Sequence, residues 1–313
     1  MAPRKAIIDI GTNSIKFCLA EGTGAGGYRV VKDVNDIVCL GEGLKDSGCI
    51  GAEVLERNAR SVANFAGEAS AAGADEIVAV GTMALRAAKN AADFTARVKE
   101  LCGVEVHVLI GEEEAQLSCM AVMSGIKGAA EADLMMMDSG GGSTEFIFSK
   151  AGKVVRKFSL DVGAVRFTEQ YFSKTPVAAS KLAEAQAAIK KELAGGGVAG
   201  PAAFLVGMGG TVTSMASVKH KMAQYDPDVI QGSTLSLDEI NAQVADYAAK
   251  TLEQRRGIVG LQPKRADVIL AGACIVKAVL ELTGANEITV SSRNLRHGLL
   301  LRLFCDPNSE AES

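Results

Sequence analysis

The sequence predicts an α/β protein of two similar lobes, each presenting a glycine loop beside an aspartate. An apolar run at 134–137, then Asp138, three glycines and Ser143-Thr144-Glu145, reads as a strand, a tight turn and a second strand over 143–148. Residues 6–20 repeat the design, with an apolar run, Asp9, a turn of Gly11, Thr12, Asn13 and Ser14, and a second apolar strand over 15–20. A chain of 313 residues is long enough for two domains, each able to bury a core. The expected division is residues 1–125 and 126–313, with the last helix free to pack back onto the first lobe.

The loops suggest a chemistry. Consecutive glycines let backbone N–H groups close on an anion without interference from Cβ, and Ser and Thr hydroxyls add donors at the same place. Asp138 would repel a phosphate unless a cation lies between them, so the pattern points to a phosphate loop with a divalent metal. The plainer reading is a ligand-free hairpin, but three glycines flanked by Asp and Ser-Thr-Glu are more than a turn requires. Two such copies resemble the actin, hexokinase and Hsp70 superfold, built from two ribonuclease-H-like lobes with an interlobe cleft. The resemblance implies that both loops face that cleft.

Composition narrows the class. With 48% hydrophobic and 22% charged residues the chain reads as an ordinary globular protein. No apolar run approaches the ~18 residues of a membrane span, and no basic start leads into an apolar signal region, so a cytoplasmic location away from membranes is expected. Seven cysteines are scattered without a C-x-x-C spacing, and most sit in apolar segments, which suits buried thiols in a reducing compartment. Three histidines are too dispersed for a zinc site. A net charge of −4 offers no general attraction to nucleic acid.

In chain order, strands are expected at 28–34 and 37–40, an amphipathic helix at 53–72 and a strand at 77–80. Gly81-Thr-Met-Ala-Leu-Arg86 follows, placing Arg86 one helical turn beyond a strand end, either toward a ligand or in solvent. A helix at 91–101 and a strand at 104–109 lead into Gly111-Glu-Glu-Glu-Ala115. Carboxylates suit the dipole of a helix start, and one of them can also serve as a base. Then come a strand at 154–160, a helix start at 163–171 carrying Arg166, a helix at 177–192 and a strand at 204–206. Gly207-Met-Gly-Gly-Thr211 with the helix at 212–218 is a strand, glycine turn and helix N-terminus, a ready anion site. Residues 219–234 read as a mobile loop, followed by helices at 237–250 and 266–283, a strand at 287–290 and a closing helix at 294–304. Arg255, Arg256, Lys264 and Arg265, and also Arg293, Arg296 and His297, form basic clusters that read as solvated helix ends, with the alternative that one of them lines the path of a polyanion. The tail from Asp306 reads as frayed.

Taken together, Asp9-Ile-Gly-Thr-Asn-Ser14, Gly81-Thr-Met-Ala-Leu-Arg86, Gly111-Glu-Glu-Glu-Ala115, Asp138-Ser-Gly-Gly-Gly-Ser-Thr-Glu145, Ser159-Leu-Asp-Val-Gly-Ala-Val-Arg166 and Gly207-Met-Gly-Gly-Thr211 closely resemble the exopolyphosphatase and guanosine pentaphosphate phosphohydrolase family. Arg265-Ala-Asp-Val-Ile-Leu-Ala-Gly272 and Leu295-Arg-His-Gly298 fit it too. The resemblance implies that Glu114 is the catalytic carboxylate that orients or deprotonates the attacking water. It implies that Asp138 and Glu145 are the carboxylates associated with Mg²⁺. Gly11, Thr12, Asn13 and Ser14, Gly140, Gly141, Gly142, Ser143 and Thr144, and Gly209, Gly210 and Thr211 match phosphate-contacting loops, with Arg86 as a phosphate-neutralising cation. This chain has Gln116 where the family commonly has Arg, and Ser139 where an apolar residue is more usual.

The implied activity is Mg²⁺-dependent hydrolysis of the terminal phosphoanhydride of inorganic polyphosphate, with pppGpp as the alternative substrate. Such chemistry asks a protein mainly to position water and to neutralise phosphate oxygens. The partners implied are polyphosphate or a nucleotide, and a homodimer is compatible with the reading. A sugar or acetate-type kinase would also need purine and acceptor pockets, which no stretch identifies. A non-catalytic alarmone sensor would have no use for Glu114. Because the chain stops after the closing helix, a distributive action favouring short polymers is expected.

Overall fold

Two apolar runs that each end in an aspartate become the first strands of two separate sheets. The computed structural model describes residues 2–24, 27–201 and 204–305. The chain divides into two units, one formed by residues up to Ala121 together with the helix Leu295–Cys305, the other by Val122–Asn294. The first unit is thus assembled from both ends of the chain, and the second ends before the closing helix rather than running through it.

In the first unit, β1 (Arg4–Ile10), β2 (Ser14–Gly24), β3 (Gly27–Ile37), β4 (Glu76–Gly81) and β5 (Val106–Val108) lie in the order β3-β2-β1-β4-β5. Short turns make β1, β2 and β3 antiparallel, whereas β1, β4 and β5 are parallel and need helical crossovers. The alternation of side chains gives β1 two apolar faces. Ala6, Ile8 and Ile10 pack with Ile15 and Phe17 against helices Ala52–Ala71 and Ala91–Cys102, and Phe17 stacks on Phe65 at 5.1 Å. Ile7, Cys18 and Val80 face Leu117, Leu295 and Leu299 instead. The closing helix therefore packs beside helix Gly111–Gly125, and Arg302 pairs with Glu113 at 3.0 Å.

The second unit repeats the plan with one strand added. Its strands are β6 (Leu134–Ser139), β7 (Thr144–Lys150), β8 (Lys153–Leu160), β9 (Phe204–Met208), β10 (Thr234–Ser236) and β11 (Glu287–Val290). Their order is β10-β11-β9-β6-β7-β8, so β8-β7-β6-β9-β11 reproduces the ribonuclease-H-like arrangement of the first sheet. Met135, Met137, Phe146 and Leu205 share a core with helix Ile269–Thr283, whose buried residues run all round it.

Several expected elements differ. Residues 37–40 form no second strand: β3 runs to Ile37, and Val38 and Cys39 then donate their N–H groups to the Asn13 carbonyl at 3.2 and 3.0 Å. Residues 219–234 are not a structureless loop, because Asp226 caps a short helix, Pro227–Ile230, and Ile230 is fully buried. The basic clusters also break up: Arg255 is 1% exposed with its Nε donating to the Tyr247 carbonyl, and Arg296 is buried and paired with Asp33. Only Cys18, Cys119 and Cys274 are buried, and burial pushes the Cys18 and Cys274 thiols up to about 12. Among the described residues, no helix is long and apolar enough to cross a membrane. The tail from Asp306 lies outside the described residues.

A Cβ at Gly298 would run into the Leu117 carbonyl, so the closing helix and the helix bearing Glu114 meet backbone to backbone. Gly298→Ala is expected to lower the urea midpoint, at a cost of about 1–3 kcal/mol for overpacking. An unchanged midpoint would mean that the two helices have room to separate.

Candidate active site

The two glycine loops share one backbone. Gly11 N–H donates to the Ser14 carbonyl at 3.1 Å, and Gly140 N–H donates to the Ser143 carbonyl at 2.8 Å. Each closes a two-residue turn, Thr12-Asn13 in one and Gly141-Gly142 in the other. What differs is the residue opposite the aspartate. Asp9 faces Lys16 across β1 and β2 and pairs with it at 3.4 Å, its side chain 4% exposed. Asp138 faces Glu145 across β6 and β7. The first loop pairs its aspartate with a lysine across the strands, while the second sets two carboxylates opposite each other, a pairing that is unfavourable unless positive charge lies near.

The surroundings hold this acidic pair in place. Gly209, at φ +81°, begins helix Gly209–Lys219, and a Cβ there would collide with the Asp138 carboxylate. At Gly210 a Cβ would strike the Arg265 guanidinium. Burial lowers the pKa of Arg265, and the charges of Asp138 and Asp267 raise it. Arg265 thus stands at the second loop rather than in a solvated cluster, at a helix start whose first N–H groups have no intrahelical acceptors. Sequence reasoning had the Arg265–Gly272 motif and the adjacent glycines, Gly209-Gly210, but no signal that joins the two.

In the second unit, hydroxyls assigned to phosphate are engaged within the protein. Ser143 Oγ donates to Glu145 Oε1 at 2.6 Å, and Ser159 Oγ donates to the same oxygen at 2.9 Å. Thr144, fully buried, donates to the Val162 carbonyl at 2.5 Å, and Thr211 Oγ lies 3.5 Å from the Ser139 carbonyl. Since each hydroxyl has one proton to give, the main-chain N–H groups of the loop are its remaining donors for an anion. Ala164 and Val165 N–H groups brace the loop from behind through the Gly140 and Gly141 carbonyls, at 3.0 and 2.8 Å. Arg166 turns to Glu192 instead, at 2.7 Å, so its motif does not deliver it to the loop.

In the first unit, the three glutamates of helix Gly111–Gly125 separate in role. Glu112 is exposed, Glu113 pairs with Arg302, and Glu114 Oε2 accepts from Arg86 Nη1 at 2.7 Å. The same nitrogen donates to the Leu109 carbonyl at 2.8 Å, which fixes where the guanidinium presents itself. A solvent-accessible ion pair contributes little stability, so its consequence is the orientation of Glu114.

Among the described residues, no group of three or more His, Cys, Asp or Glu is placed to hold a metal. Mg²⁺ takes one or two protein carboxylates and completes its octahedron with water and phosphate oxygens. The facing pair Asp138 and Glu145 fits this description. Gly209→Ala is expected to displace the Asp138 carboxylate and weaken Mn²⁺ binding, measured by calorimetry, on the order of tenfold, as for other supports of metal ligands. An unaltered Kd would remove Asp138 from the ligand set.

The chain matches the family model described as the Ppx/GppA phosphatase family over residues 20–305. It is 30% identical over 315 residues to exopolyphosphatase 2 of Mycobacterium tuberculosis, covering 96% of this chain and 98% of that relative. It is also 30% identical over 308 residues to a bifunctional 3-dehydroquinate synthase/phosphatase of Fusobacterium nucleatum subsp. nucleatum, covering 95% of this chain but 46% of that protein's length. The crystal structure of the Ppx/GppA family member of Aquifex aeolicus superimposes with a TM-score of 0.85 at 30% identity, over 100% of both chains. Its type II variant gives 0.84 at 31% identity, covering 96% of this chain and 98% of the other. With two glycine loops on duplicated sheets and a match along almost its whole length, the chain belongs to the Ppx/GppA phosphatase family, hydrolases acting on phosphoanhydrides.

Proposed function

We propose that this protein is an exopolyphosphatase that releases orthophosphate from the end of inorganic polyphosphate with the help of Mg²⁺. The observation that carries this reading is the register pairing of Asp138 with Glu145 at a glycine loop, where two carboxylates and main-chain donors meet. The likeness to exopolyphosphatase 2 of Mycobacterium tuberculosis supports polyphosphate over pppGpp as the substrate. The buried thiols Cys18, Cys119 and Cys274 support a reducing, cytoplasmic setting.

In this reading, the loops Gly11–Ser14, Gly140–Thr144 and Gly209–Thr211 present main-chain N–H groups to phosphate oxygens, apart from those of Gly11 and Gly140, which close the turns. Asp138 and Glu145 would hold the Mg²⁺ ion, which when bound neutralises phosphate charge as it develops. Arg265 adds a fixed positive charge at the same loop, and Arg86 holds Glu114 toward the attacking water. Glu114 accepts a proton as the water oxygen bonds to the terminal phosphorus. The bridging P–O bond breaks, and the shortened polymer leaves with the electron pair. Glu114 then returns its proton to solvent. A sensor that only binds nucleotides would need no such base, which favours catalysis.

Glu114→Gln keeps the shape of the side chain but cannot take the proton, so orthophosphate release should fall by about 10²–10⁴-fold, the usual scale for a lost general base. Near-full activity would move the role elsewhere, with Glu113 the first group to examine. Asp138→Ala and Glu145→Ala should each raise the Mg²⁺ concentration needed for half-maximal rate and lower the rate itself. Identical Mg²⁺ titrations in both variants would exclude metal-linked roles. Assayed side by side, polyphosphate should be the better substrate; much faster hydrolysis of pppGpp would reverse the assignment.

A further inference from the structure

We infer that Ser159 is a positioning residue for Glu145. The inference rests on the reading that Glu145 serves a cation. Glu145 and Ser159 are register partners across β7 and β8, and Ser159 Oγ lies 2.9 Å from Glu145 Oε1. Ser143 Oγ reaches that same oxygen at 2.6 Å. The two donors differ in origin. Ser143 belongs to the loop, whereas Ser159 sits on the neighbouring strand and ties the carboxylate to the sheet.

Packing does not explain a serine here. Ser159 is exposed, on β8 at the edge of the second sheet, and has no place in the core of its unit. Its chemistry does offer an explanation. A hydroxyl holds a carboxylate by a hydrogen bond and leaves its charge intact, whereas a lysine beside it would cancel that charge, as Lys16 does for Asp9. Two hydroxyls on one oxygen set the rotation of the carboxylate, and an orienting partner of this kind commonly governs both affinity and rate at a metal site.

Mn²⁺ affinity of the free protein, measured by calorimetry, and the Mg²⁺ dependence of orthophosphate release test the inference together. Ser159→Ala should weaken Mn²⁺ binding by about tenfold and raise the Mg²⁺ requirement similarly, with the urea midpoint unchanged, while Ser159→Thr, which keeps the donor, should restore both. If Ser159→Ala binds Mn²⁺ like the wild type while Glu145→Ala does not, the positioning role is overturned and the cation site stands. Equal impairment of the Ala and Thr variants overturns it as well, since the hydroxyl would not be the cause. If Glu145→Ala also binds Mn²⁺ normally, the cation reading fails and this inference fails with it.

Discussion

Two carboxylates placed directly opposite each other on adjacent strands repel, and the second unit is built around managing that repulsion between Asp138 and Glu145. Gly209 brings a helix start against Asp138, and Gly210 admits the Arg265 guanidinium. Ser143 and Ser159 restrain Glu145 without discharging it. Gly163 lets the helix Ala164–Tyr171 press against the loop, because a Cβ there would meet the Gly141 carbonyl. Together these features hold the acidic pair in place.

The first unit uses the same frame for the opposite end. Its loop has the same hydrogen-bonded turn, yet Lys16 occupies the strand position that Glu145 occupies in the second. Asp9 is therefore buried and paired, and helps organise its loop, with Thr12 packed under Gly41 and the Asn13 carbonyl accepting two N–H groups. Duplicated architecture does not imply duplicated chemistry. One position opposite the aspartate distinguishes the two loops, a lysine in the first and a glutamate in the second.

What was legible in the sequence was local. Apolar runs, the aspartate at each strand end and the glycines after it lie within a few residues of one another, so the strands and both loops could be placed from pattern alone. Glu114, Asp138 and Glu145 were singled out by their motifs. Arg265 also lay inside a quoted motif, but its approach to Gly210 depends on a fold-back over more than fifty positions that no local period encodes. Arg255 and Arg296 looked like solvated charges, since burial of a guanidinium depends on tertiary partners such as the Tyr247 carbonyl and Asp33. Ser159 lay inside a quoted motif, but its bond to Glu145 follows from the register of β7 on β8. Residues 219–234 misled because Asp226-Pro227 is equally a loop signal and a helix start.

Anomalous diffraction from a crystal soaked in Mn²⁺ would locate the cation most directly. A peak bound to the Asp138 and Glu145 carboxylates, with none at Asp9 where Lys16 already supplies the charge, is the expected result. A peak at Asp9, or a well-occupied cation away from the Asp138–Glu145 pair with that pair empty, would contradict it.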